Sequence, residues 1–397
     1  MKKNIENKTP SLLLLIVLVG FPQISETIFS PSLPSIAATF NRSMSDAQLT
    51  MSVYFIAFAL GVLFFGRLSD KVGRRRAMLY GVSLYFVGNV LCLVAHEMSV
   101  LLIARFIQAF GASVGSVVTQ TILRESFSGM KRHQLFAQIS AVMAFTPAIG
   151  PFIGGFANHY FGVKMVFIVL IAMSIFIFCY TFAGLPETAP KDNKLKPLWP
   201  LARRMATNRR LWKYSLLIGG MNGILFSYYT EAPFLFIEYF SLTSAQYGGV
   251  GMVVACASVA GAMCSKRWVQ HTRPELIIVR GSAVLLSGAL LAIFVYLLPD
   301  AVQMIGLLMS IFLLLFGVGI ALPNCLSLAL VDFQAEIGSA SALFSLHYYL
   351  LVSAIVYGMS VVHNGTLLAM PLYMAWIGSV ILVTSLTLLQ REVAIKS

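Results

Sequence analysis

Glu26 and Glu231 are the residues best placed to do chemistry, because each puts a carboxyl inside a long apolar run. A charged side chain at mid-membrane costs about 2.5 to 3.5 kcal/mol on insertion scales, so a chain keeps one only where it faces a cavity or a partner. Polar and helix-loosening neighbours suit a cavity wall. Pro22, Gln23, Ser25, Thr27, Ser30 and Pro31 surround Glu26, and Ser227, Tyr228, Tyr229, Thr230 and Pro233 surround Glu231. Low dielectric disfavours an ionised carboxyl, which brings proton exchange toward neutral pH. Both acids are therefore candidate proton carriers, the alternative for each being a hydrated place near the outer interface. Arg105 lies within another apolar run, about six residues or about 10 Å from its end. A guanidinium keeps its charge and needs a partner. The expectation is an ion pair with Glu26, direct or through water, against an alternative in which Arg105 bonds backbone carbonyls of the first run and fixes packing.

These residues need elements that cross a bilayer. Of the 397 residues, 58% are hydrophobic and 11% charged, with a mean hydropathy of +0.83, more apolar surface than a soluble core hides. Runs of roughly 20 apolar residues predict twelve spans. The first six are Ser11 to Pro34, Ala47 to Phe65, Ala77 to Ala95, Ser99 to Leu123, Gln134 to Ala157 and Val163 to Leu185. The last six are Tyr214 to Ile237, Ala245 to Cys264, Leu276 to Leu298, Val302 to Leu330, Gly338 to Val362 and Thr366 to Leu389. The fold class is thus all-α and polytopic, with two six-helix halves. Residues 1–185 form the first, 186–213 a basic linker with Pro186, Pro190, Pro197 and Pro200, and 214–397 the second. Counted from the start of its run, each acid lies roughly 15 to 18 residues in, about 22 to 26 Å of helix rise, so their depths are expected to match.

Charge fixes the orientation. Of the 28 Lys and Arg, all but Arg42, Lys164 and Arg105 fall in the two ends and in the turns that share one side when both ends are cytoplasmic, as the positive-inside rule requires for an even number of spans. The +13 net charge therefore calls for no nucleic-acid partner and points to anionic lipid at the cytoplasmic face. Lys2, Lys3 and Lys8 precede Leu12 to Phe21 in the manner of a secretory signal, but no small-x-small cleavage site follows, so the run reads as an uncleaved first span. Cys92, Cys179, Cys256, Cys264 and Cys325 show no metal-ligand spacing, and neither disulfide, metal nor cofactor is implied.

Between the second and third spans stands Gly66-Arg67-Leu68-Ser69-Asp70-Lys71-Val72-Gly73-Arg74-Arg75-Arg76. A stretch so charged cannot lie in hydrocarbon and reads as a tight loop whose glycines, Gly66 and Gly73, allow the reversal. This pattern resembles the signature loop of the major facilitator superfamily. Leu101 to Ala112, containing Arg105, resembles that family's fourth-span pattern, in which the arginine is linked to proton handling, with Ala109 where glycine is usual. Ala148-Ile149-Gly150-Pro151-Phe152-Ile153-Gly154-Gly155 resembles its exporter pattern, with Thr146 in place of an upstream glycine. Glu26 to Pro34 and Gly338 to Leu343 resemble the Bcr/CflA branch of drug/proton antiporters, where the first-span acid is often aspartate.

Physics gives these motifs work. Gly150, Gly154 and Gly155 strip one helical face so that another helix approaches closely, while Pro147 and Pro151 bend it. Asp70 is expected near the N-terminus of the eleventh span, around Gly338, where a helix dipole favours an anion. With Arg74 it is read as a latch holding the outward-open state, the alternative being that the arginines only set topology. Tyr54, Phe55, Tyr228, Tyr229, Tyr348, Tyr349 and Met221 are candidates for a forgiving substrate cavity. His347 is a candidate ligand or titrating group there, against a packed, hydrogen-bonded alternative.

The resemblance implies a proton-driven exporter of drug-like amphipaths in the bacterial inner membrane, working as a monomer by alternating access on small-molecule substrate and protons. An exporter of an endogenous metabolite such as a siderophore, and then a solute importer, are the alternatives. A passive channel needs no charged latch between two halves. A membrane enzyme needs a reactive cluster, and no HExxH, acid-rich metal motif or Ser-His-Asp arrangement is present.

Overall fold

A computed structural model of the chain describes residues 9–127, 135, 138–139, 142–143, 145–189 and 197–396. Lys2, Lys3, Lys8, Lys131, Arg132, Lys191, Lys194, Lys196 and Gln134, all used in the topology argument, lie outside the described residues. The architecture is all-helical. The first set comprises α1 (Leu12–Thr27), α2 (Leu33–Thr39), α3 (Met44–Val72), α4 (Arg74–Leu93), α5 (Met98–Ser126), α6 (Thr146–Phe161) and α7 (Val163–Gly184). A short α8 (Trp199–Thr207) follows, then α9 (Arg209–Pro233), α10 (Ser244–Trp268), α11 (Pro274–Val295), α12 (Asp300–Leu328), α13 (Ile337–Val362) and α14 (Ala369–Lys396).

Ten spans among the described residues are long and apolar enough to cross a membrane by length and composition. The fifth and seventh expected spans are present as α6, described from Thr146, and α9, which opens on Arg209, Arg210 and Lys213. Prolines decide where helices break. The first span is discontinuous: α1 ends at Thr27, a 3-10 turn covers Ser30–Ser32, and α2 resumes with Pro34 in its first turn. In the seventh, Pro233 closes α9 and a π-helical turn, Phe234–Tyr239, continues it.

The charged stretch after the second span is mostly helix and not the expected loop. α3 runs to Val72 and α4 starts at Arg74, so Gly73 alone, at φ 96° and ψ 159°, makes the reversal. Gly66 is interior to α3, where an added Cβ would meet Val117 at 3.4 Å and Ala342 at 3.8 Å. Both are ordinary contact distances, so a small side chain would fit here between α5 and α13. Within the basic linker the described residues include α8, and α9 begins at Arg209 rather than Tyr214.

The two helix sets meet along two main seams, α3 against α13 and α6 against α10. Across the first, Ser353 Oγ donates to the Ser52 carbonyl at 2.8 Å. The second depends on missing side chains, as the sequence implies. A Cβ on Gly155 would stand 3.2 Å from Gly248 Cα and one on Gly150 3.0 Å from the Ile28 amide, while one on Gly154 would overlap the Ile28 carbonyl. Gly150 and Gly154 thus seat α6 on the end of α1, and Gly155 seats it on α10. Gly154→Leu is expected to lower the melting temperature of the detergent-solubilised protein by several degrees, since overpacking here costs about 1–3 kcal/mol. Gly249→Ala on α10, where nothing lies within 4 Å, is expected to leave it unchanged, and an equal loss in both variants would contradict the packing argument.

Candidate transport pathway

Three polar clusters and one aromatic cluster lie between the helices. The first is at the end of the molecule that holds the Gly73 turn, called here the basic end. Arg74 is only 2% exposed, and its guanidinium is shared between two acids. Nη1 meets Asp70 Oδ1 at 2.5 Å and Ser69 Oγ at 3.0 Å, while Nε and Nη2 form a fork on Glu125 at 3.0 and 2.6 Å. Glu187 accepts from the backbone amides of Arg74 and Arg75 at 2.8 and 3.3 Å, placing an anion at the N-terminus of α4. Asp70 and Gly338 line one cavity of about 310 Å³ together with Arg67, Glu125 and Glu336, with Leu198 and Leu201 of the linker on its rim. The expected proximity of Asp70 to the start of α13 is present. Arg74, however, spends its hydrogen bonds on α3 and α5 inside the first set, as a clamp rather than a bolt across the seam. Arg75 donates to the Phe182 carbonyl at 2.7 Å, and Arg76 is exposed.

The second cluster surrounds Arg105, which is completely buried. Among the described residues it makes no direct ion pair with Glu26 and takes no backbone carbonyl of α1. The turn after α1 explains this, because it lays Phe29 over the guanidinium at 4.3 Å while Tyr54 of α3 covers it at 4.5 Å. Arg105 Nη1 donates to Gln108 Oε1, Gln108 Nε2 donates to Asn89 Oδ1, and Asn89 Nδ2 donates to the Leu170 carbonyl at 3.3 Å. This relay crosses α5, α4 and α7. Glu26 is 3% exposed and stands within electrostatic reach of Arg105. No hydrogen bond or ion pair reaches its carboxyl among the described residues.

Glu231 is treated oppositely. It is fully buried, accepts from Gln48 Nε2 at 2.6 Å, and lies 2.8 and 2.9 Å from His363 Nδ1. The two acids do not share a depth. Ser30 Oγ donates to the Tyr229 carbonyl at 2.5 Å, so Tyr229 is level with the turn beyond Glu26, and Glu231 lies further still from the basic end. The early start of α9 at Arg209 carries it there.

The aromatic candidates converge, with the exception of His347. Tyr54 packs on Phe55 and Phe58, Phe55 on Phe226 at 4.4 Å, and Phe58 on Tyr349 at 4.8 Å. Tyr348 meets Tyr349 at 4.5 Å, and Phe226 leads through Tyr229 to Tyr228. The result is one wall across α3, α9 and α13. His347 instead contacts Trp212 and Ser215 and lines a separate cavity of about 200 Å³ beside α8, in agreement with the packed alternative.

Gln48, Asn89, Gln108, Glu125, Glu187 and His363 are site residues that sequence reasoning missed. Lone amides inside apolar runs were a usable signal for the first three, while no spacing ties Glu125, Glu187 or His363 to a partner.

Long apolar helices, paired halves and buried charge around an aromatic wall define a multi-pass membrane transporter rather than an enzyme. The family model described as "Major Facilitator Superfamily" matches residues 15–357, and the chain belongs to that superfamily. An uncharacterized transporter of Rickettsia bellii is 31% identical over 91% of both chains. The multidrug resistance protein MdtL of Shewanella oneidensis is 26% identical over 79% of both. The crystal structure of a D-xylose-proton symporter superposes with a TM-score of 0.76 at 14% identity, covering 94% of this chain and 96% of that one.

Arg74→Ala removes the buried cation that Asp70 and Glu125 share. Both acids keep some solvent contact at 33% and 22% side-chain exposure, so a loss of about 3 kcal/mol, the low end for a broken buried pair, is expected. Arg74→Lys is expected to recover only part of it, because a point charge cannot make the fork. Full recovery by lysine in a thermal-unfolding comparison would contradict the bidentate reading.

Proposed function

We propose that this transporter is a proton-coupled exporter of small amphipathic, drug-like compounds in a bacterial inner membrane, with the basic end in the cytoplasm. Residues 1–185 and 214–397 are proposed as two bodies that rock about the 186–213 linker. The observation that carries the reading is Glu26, a buried carboxyl with no donor among the described residues, within electrostatic reach of an arginine already committed to aromatic faces and an amide. As an anion it bears a desolvation cost that no hydrogen bond offsets, so occupancy by a proton or by a cationic solute group is the natural way to relieve it. One acid able to hold either ligand, but not both, is the minimal requirement for exchange.

In the proposed cycle a proton reaching Glu26 from the outer face displaces the solute, and the protonated carrier returns inward. The loaded Glu26 no longer attracts Arg105, whose charge remains on the Phe29 and Tyr54 rings. The aromatic wall offers a broad, weakly directional surface to varied apolar ligands. The multidrug relative supports the substrate class, and the packing of Gly150, Pro151, Gly154 and Gly155 supports the outward direction by closing the far end against leak. Glu231, already held by two donors, takes the smaller part in proton transfer.

Efflux from inverted vesicles across a compound panel, with and without a proton gradient, tests the reading. Glu26→Gln is expected to reduce gradient-driven efflux at least tenfold, matching the weight of a general proton-transfer group, while solute binding to the solubilised protein persists. Glu231→Gln is expected to cost less. Full gradient-driven efflux in both variants would overturn the assignment.

A further inference from the structure

His363 is the buried titratable group that the exchange cycle leaves unused. It is the residue after α13, outside the span, and half-enclosed. Its Nδ1 faces both oxygens of Glu231, its Nε2 lies 3.2 Å from Met44 Sδ, and its ring packs on Phe234 at 5.3 Å. Glu231 accepts in turn from Gln48. One carboxylate therefore fastens three elements: α9, which carries it, the end of α13, and α3. The contact with α3 crosses between the two helix sets, at the end opposite the Gly73 turn. Nearby, Asn158 Nδ2 donates to Ser35 and Ser244 at 3.0 Å each, adding uncharged links across the same end.

We propose that His363 is a proton-binding site that seals this end of the transporter. With the ring protonated, Nδ1–H donates to a carboxylate of opposite charge, and Glu231 holds α3 and α13 together. With the ring neutral, Nδ1–H still donates in one tautomer, but the fully enclosed carboxylate loses its counter-charge. Such an anion draws in water, and the way to admit it is to part the two sets.

The titratable groups acting on His363 are Glu231 and, from the turn after α9, Glu238. α3 faces it with Met44 and Gln48, neither of which titrates. The hydrogen bond to Glu231 holds the imidazole above its ordinary 6.5, with the charges of Glu231 and Glu238 adding and burial opposing. A raised folded-state value means the contact is fully present below 6.5 while Glu231 is ionised, and is lost as pH rises through the raised value. Acid on the outer side thus favours the sealed state, and alkali favours opening. The inference rests on alternating access and on Glu231 staying ionised while Glu26 carries the transported proton.

Spin labels at Arg42 and Ala301, exposed positions on either set, read the seal by distance measurement. Cys179, Cys256 and Cys264 are replaced by alanine, since they are not buried. In nanodiscs without substrate or gradient, the distance distribution is expected to move from short to long between about pH 5.5 and 9. His363→Gln keeps a donor but does not titrate, and is expected to show one distribution throughout. A wild type with no pH response, or a glutamine variant with the full response, would overturn the proposal. Should His363→Gln fail to fold, Glu238→Gln decides: removing an acid that favours the imidazolium is expected to move the midpoint to lower pH, and an unmoved midpoint refutes the site. Absence of gradient-driven efflux would sink the exporter reading and leave this measurement standing.

Discussion

Burying charge in a chain surrounded by hydrocarbon is the constraint on which the structure depends, and each buried ion meets it differently. Arg74 is given two carboxylates and a hydroxyl. Arg105 is given two aromatic faces and an amide relay instead of an anion. Glu231 is given an imidazole and an amide. Among the described residues, nothing donates to Glu26. An uncompensated charge in low dielectric is the costliest case, which sets Glu26 apart from the other three.

The same constraint ties function to backbone geometry. Phe29 reaches the face of Arg105 only because the first span breaks after Thr27 and turns through Ser30–Ser32. That break places the Ile28 carbonyl in the path of α6, which only Gly150 and Gly154 leave room for. The glycines of the fifth span and the arginine of the fourth are therefore parts of one arrangement, linked through three residues of the first. A larger side chain at Gly154 would press on Ile28 and carry Phe29 with it.

Much of this was legible from the chain. Hydropathy is a one-dimensional property, so the spans and their basic turns could be read directly, and the small residues of α6 announced a close helix contact before its partners were known. Gly66 was misread, because a glycine between apolar and basic segments looks like a hinge until α3 is seen to continue to Val72. Arg105 was paired with Glu26 on depth alone, whereas orientation decided the matter in favour of Phe29 and Tyr54. Glu231 and His363 stand 132 residues apart, and their contact arises from how α9 and α13 cross, which no local pattern encodes.

The contacts at the end away from the basic turns are also coupled to one another. Gly155 against Gly248, Ser30 against Tyr229 and Glu231 against Gln48 all join the same two helix sets. A packed interface does not stretch gradually, because dispersion and hydrogen bonding decay within a fraction of an ångström to a few ångströms. Separating one contact would therefore weaken the others. The basic end differs in kind, with a cavity of about 310 Å³ between α3, α5 and α13 and a rim formed by the linker. Tight backbone contact at one end and a charged cavity at the other make the two ends of the seam physically unlike.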